Sequence, residues 1–234
     1  MRKGETMDPR IKHLDSRILI YNLYLTQGAL LLIGLLSAYF FIVGDERGWG
    51  DFFALPRPLS YLWIGLGGGI AIILLELLLN KVLPQDEFDD GGINEKIFRN
   101  LSFVHIFFVT FLVAFTEEVL FRGVIQEFLG LWWASIVFTI IHVRYLKKWM
   151  MVLVVFFISL AFGWLYQLTG SLWTPIIAHF FVDFVLGLFI RLGWFQSEDE
   201  ETEEDMVSEV ETDAVTVLEG EVETVNNKEN KEID

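Results

Sequence analysis

"LSFVHIFFVTFLVAFTEEVLFRG", residues 101–123, is apolar for most of its length, then sets Glu117, Glu118 and Arg122 among Val, Leu and Phe. At 1.5 Å of rise per residue, a helix over 101–121 covers the ~30 Å of a bilayer's hydrocarbon core. The stretch therefore reads as a membrane span. Ionisable groups at that depth cost at least ~2.5–3.5 kcal/mol each on insertion scales, so three in two turns need partners. Glu118 and Arg122 are four residues apart, share a helix face and can pair, which lowers the cost of burying both. Glu117 stands ~100° around the helix from Glu118, so one arginine does not serve both carboxylates. Its partner has to come from another segment.

Working outward, the 234-residue chain is 53% hydrophobic and has no cysteine, which excludes disulfides, thiolate metal sites and a catalytic thiol. Apolar runs place spans at about 18–43, 60–83, 101–121 (with helix running on toward 131), 132–146, 149–168 and 171–195. The expected fold is an all-α, polytopic membrane bundle of about six helices. Its first run, Ile18 to Val43, exceeds the ~7–15 apolar residues of a signal peptide and reads as a retained span. Arg2, Lys3, Arg10, Lys12 and Arg17 precede it. Positive-inside reasoning puts this end, and with six crossings both ends, in the cytoplasm, in a cytoplasmic (plasma) membrane. Residues 197–234 hold 16 of the 32 acids but two of the 17 basic residues, a net −14 against −1 for the rest. Like charges oppose collapse, so the tail is expected to be disordered. The chain thus divides into a basic segment at 1–17, two spans with their loops at 18–99, a core at 100–196 and the tail at 197–234. No nucleic-acid partner is expected.

Within the apolar runs the ionisable groups are Glu76, His105, Glu117, Glu118, Arg122, Glu127, His142, His179 and Asp183. His179 and Asp183 share a helix face. Counted along their helices, His179 and Asp183 lie ~12 and ~18 Å below Ser171, and His142 lies ~15 Å below Trp132. Glu117 falls ~6 Å from the outer face of an untilted span. A shift of a few residues in the boundaries brings all four into one layer, where imidazoles supply what Glu117 lacks. Such groups can also merely glue helices together, each contributing about 0.6 kcal/mol. His105, Glu76 and Glu127 have no partner at fixed spacing and read as structural or interfacial. "GLGGGI" (65–70) lacks the strand and Lys-Ser/Thr of a phosphate loop and reads as a close helix contact.

"EEVLFRG" (117–123), "SIVFTIIH" (135–142) and "HFFVD" (179–183), in this order, resemble the three motifs of the CPBP intramembrane proteases. That family includes the CAAX prenyl proteases and proteins of bacteriocin self-immunity. The resemblance covers about residues 100–195. It implies an endopeptidase in which Glu117 and His142 activate a water, Glu118 pairs with Arg122, and His179 and Asp183 stabilise the oxyanion. Many members carry Asn where this chain has Asp183. An amide donates to an oxyanion while an ionised carboxylate only accepts, so Asp183 either carries a proton or orients His179. The family is also described as metalloproteases: the resemblance admits a zinc held by Glu117, His142 and His179, although no "HExxH" helix supports it, and a metal-free glutamate mechanism is favoured. The implied substrate is a membrane-associated or lipidated peptide. A non-catalytic scaffold or immunity protein and a proton-coupled transporter are the alternatives.

Overall fold

A computed structural model describes residues 15–44, 47–82, 92–142 and 148–194. The basic segment before Asp15 and the acidic tail lie outside them, as does most of the loop at 84–92. Helix α1 (Ser16–Phe41) starts at Asp15, whose carboxylate accepts the Arg17 amide N–H at 2.9 Å and caps a donor left over at the first turn. A single turn, α2 (Trp49–Phe52), interrupts the connection to α3 (Tyr61–Val82), and the short α4 (Ile93–Phe98) precedes α5 (Phe103–Leu120). Ser102 caps α5 by accepting from the His105 amide at 3.2 Å. The chain then widens into a π turn (Phe121–Ile125) that leads into α6 (Gln126–Ile141), followed by α7 (Trp149–Thr169) and α8 (Trp173–Arg191).

Five of these segments are long and apolar enough to cross a membrane, against the six expected, because 103–141 forms one helical run. That run is not straight. Gly130 has φ 77° and ψ 172°, which lies outside helical space and is open chiefly to a residue without a β-carbon. Phe121 and Phe138 would be ~26 Å apart on a straight helix, yet their ring centroids lie 4.8 Å apart. The chain therefore doubles back at Gly130. The returning limb, 131–141, is ~16 Å long at helical rise, so the expected fourth crossing becomes a half-length limb.

The packing is inverted relative to a water-soluble bundle. Trp63, Phe40 and Phe41 are about 70% exposed, while Thr116, Glu118, Arg122, Ser159 and Thr174 are at most 1% exposed. Aromatic and aliphatic side chains face outward along every long helix, as a hydrocarbon solvent requires, and the polar groups turn inward. The described helices belong to one unit, residues 5–193. Within it α3 and α5 pack against α8, α1 against α5, and α6 against α7.

Small residues set the closest approach. A β-carbon on Gly65 would overlap the Thr174 carbonyl oxygen, and one on Gly69 would come within 2.9 Å of the Ala178 carbonyl oxygen. These two contacts, four residues apart on both helices, lay α3 parallel to α8 and fix their register. Gly67, on the opposite face, has nothing within 4 Å. Gly65→Ala is accordingly expected to destabilise the protein by about 1–3 kcal/mol through overpacking, whereas Gly67→Ala is neutral or gains up to about 1 kcal/mol of helix propensity. Unfolding in mixed micelles, compared across the two variants, checks the register.

Candidate active site

The glutamate pair sits in the last turn of α5, directly before the π turn, and its two members face different surroundings. Glu118 is fully buried, and its Oε2 lies 3.1 Å from Arg122 Nε, the i,i+4 pair that helix geometry dictates. Arg122 reaches on to α7, where Nη2 donates to the Ser159 carbonyl at 3.0 Å and to Ser159 Oγ at 3.2 Å. The rings of Phe121, Phe138 and Phe162 surround the guanidinium at 5.0–6.0 Å from Cζ. Cation–π attraction thus stands in where hydrogen-bond acceptors are missing. The other oxygen of Glu118 meets His179 Nδ1 at 2.9 Å, and His179 Nε2 lies 3.4 Å from Asp183 Oδ2. Phe162 stacks on the His179 ring with centroids 4.8 Å apart, which fixes the plane of the imidazole.

Glu117 turns the other way. Its Oε1 accepts a hydrogen bond from Gln27 Nε2 on α1 at 3.1 Å, and its Oε2 lies 4.0 Å from His142 Nε2 at the end of the returning limb. His142 Nδ1 is 2.7 Å from the Phe138 carbonyl oxygen. A carbonyl only accepts, so Nδ1 carries the hydrogen, and in the neutral ring Nε2 presents its lone pair toward Glu117. Phe138 lies between the histidines, its centroid 4.4 Å from the His142 ring and 6.4 Å from the His179 ring.

The structure thus forms two linked groups: Glu117 with Gln27 and His142, and Glu118 with Arg122, His179 and Asp183. The suggested zinc ligands Glu117, His142 and His179 do not converge, since both His179 nitrogens face other carboxylates. Among the described residues no three His, Asp or Glu side chains form a set fit for a metal. This donor arrangement does not suit a zinc site.

Of the three residues that the sequence left without partners, His105 and Glu127 find them on other segments. His105 Nε2 meets the Tyr24 hydroxyl at 2.8 Å, and Glu127 accepts from the Tyr166 hydroxyl and lies 3.5 Å from Arg47 Nη1. Glu76 lies close enough to Asp183 and His179 to feel their charges, and its Oε2 is buried with no hydrogen-bond partner. Gln27, Ser159 and Phe162 escaped the sequence reading, which weighed ionisable groups, and Phe138 entered it only as part of the second motif. An amide midway along "IYNLYLTQGALLLIGLL" (20–36), deeper in the span than Asn22, was the available signal for Gln27.

Lipid-facing helices around a buried layer of Glu, His and Arg define an integral membrane protein with a polar interior. Residues 99–185 match the family described as type II CAAX prenyl endopeptidase Rce1-like. An uncharacterized protein of Bacillus subtilis (strain 168), YpbD, is 44% identical over 135 residues, which cover 58% of this chain and 71% of that protein. No solved structure matches the chain. The chain belongs to the Rce1-like family, as its three motifs led one to expect.

Proposed function

We propose that the protein is an intramembrane endopeptidase that hydrolyses a peptide bond with water activated by Glu117 and His142. The observation that carries this reading is the 4.0 Å approach of Glu117 Oε2 to His142 Nε2 inside the buried layer. As acceptors, an ionised carboxylate and the lone pair of a neutral imidazole cannot bond to each other. Two hydrogen bonds of about 2.8 Å do meet across such a base, so one water can donate to both and turn an oxygen lone pair toward a carbonyl carbon. Attack forms the C–O bond, sends the carbonyl π electrons to oxygen and passes the water's proton to Glu117. Collapse breaks the C–N bond, and the same proton leaves with the amine.

His179 is the proposed oxyanion donor. Its Nδ1 is anchored on Glu118, while the 3.4 Å from Nε2 to Asp183 is long for a hydrogen bond and leaves that N–H available to a stronger acceptor. Asp183 then acts as the acceptor that orients His179. Glu118 and Arg122 hold this group in place. The family's description supports a membrane-associated or lipidated peptide as substrate, and we place the protein in a cytoplasmic membrane with both termini inside.

Reconstituted protein offered a prenylated C-terminal peptide in water enriched in heavy oxygen is expected to release a product whose new carboxyl carries one labelled atom. The rate is expected to survive stringent chelation. A rate lost on chelation and restored by zinc would replace the glutamate mechanism with a metal one. Substrate flux driven by a pH gradient, without cleavage, would point to a transporter.

A further inference from the structure

Gln27 sits on α1, outside the residues matched to the family, in a helix that the sequence marked only as a membrane span. The side chain is buried, and its Nε2 donates to Glu117 Oε1. Its Oε1 is buried with no hydrogen-bond partner. A glutamine kept only to fill space here would leave a desolvated carbonyl uncompensated, at a cost that an apolar residue of similar length avoids.

The placement of the amide is tightly set. Tyr24 of α1 meets His105 near the start of α5, and a β-carbon on Gly34 would lie 3.4 Å from Leu120 Cα at its end. The two helices therefore run parallel, in contact on both sides of Gln27. With Oε1 of Glu117 tied to α1, the carboxylate cannot rotate freely, and Oε2 is left facing His142.

We propose that Gln27 is a positioning residue for the reaction proposed above: its amide N–H holds Glu117 in the one rotamer that directs Oε2 and His142 Nε2 at the same water. This assignment rests on the peptidase reading but makes a prediction that does not require turnover. Gln27→Met keeps the length and removes the donor.

In reconstituted full-length protein, Gln27→Met is expected to lower kcat roughly 10- to 100-fold, the loss of one hydrogen bond to a charged group, with KM within about twofold and the unfolding midpoint unchanged. Tyr21→Phe, at an exposed position on α1, is expected to leave both constants as they were. In a Glu117→Gln background, Gln27→Met should have no further effect on the residual rate. An unchanged kcat, or a raised KM with kcat kept, overturns the proposal.

The second readout is the infrared carboxylate band of Glu117, isolated as the difference between wild type and Glu117→Gln. Gln27→Met is expected to move it. If the wild-type protein cleaves nothing, the peptidase reading fails, and this band then decides the contact alone. A band that stays put shows that Gln27 does not hold Glu117. Should Gln27→Met fail to fold, the same band is read in Gln27→Leu, which likewise removes the donor and must displace it if the contact exists.

Discussion

Glu117→Gln is expected to yield a folded, membrane-inserted protein whose turnover falls by about 10²- to 10⁴-fold, the range that a general base contributes. The substitution is nearly isosteric. A glutamine carbonyl at position 117 can still accept the Gln27 amide N–H, so the link to α1 survives. What changes is the other end, because the new NH₂ faces His142 Nε2 across 4.0 Å and donates where the carboxylate accepted. A water placed there would meet a donor and lose its proton sink. Since the substituted group touches the water rather than the remote parts of a substrate, KM is expected to stay within about threefold while kcat falls. Single-turnover cleavage in proteoliposomes, with the unfolding midpoint measured beside it, separates lost chemistry from lost structure. Cleavage at the wild-type rate would remove Glu117 from the mechanism in both its metal-free and its metal form.

Arg122→Met is expected to have the largest effect on stability. Arg122 and Glu118 are 1% and 0% exposed and 3.1 Å apart, so removing the guanidinium strands a carboxylate in the driest part of the molecule. Breaking a buried pair from one side typically costs about 3–5 kcal/mol, a large share of the stability of a single domain. His179 offsets part of this through its 2.9 Å bond to Glu118 Oε1. The Ser159 carbonyl and hydroxyl also lose their donor. The double variant Glu118→Gln, Arg122→Met removes the stranded charge together with its partner, and is expected to recover more than half of the loss. Denaturant unfolding in mixed micelles of the wild type, Arg122→Met, Glu118→Gln and the double variant gives the coupling. If the single and double variants are equally destabilised, the cost lies in the aromatic cage around the guanidinium and not in the ion pair.

The site was partly legible for a local reason. Glu118 and Arg122 pair because four residues bring side chains onto one helix face, and any helix through that stretch would pair them. His179 and Asp183 follow the same rule. Glu117, by contrast, was recognisable only as a residue in want of a partner. His142 comes within 4.0 Å of Glu117, whereas His179, grouped with it as a zinc ligand, meets Glu118 instead. Nothing in spacing could decide that, since it depends on how α6 and α8 are rotated about their own axes. The widening at Phe121–Ile125 was equally hidden, because a π turn inserts its extra residue without an obvious mark in an apolar run.

Hydropathy and helical rise alone determined that this chain forms long membrane helices, that its charges must face inward, and which charged neighbours on one helix pair. All three follow from short-range physics: hydrocarbon does not solvate an ion, and a helix repeats every 3.6 residues whatever surrounds it. Only the tertiary structure decided that Gly130 reverses the chain and carries His142 back to Glu117, that α1 contributes Gln27, and that a stacked Phe162 orients His179. Contacts between helices have no covalent register to read. They are fixed by which small residues permit close approach, as where Gly65 and Gly69 of α3 meet α8 or Gly34 of α1 meets α5, and that fit exists only once the helices are packed.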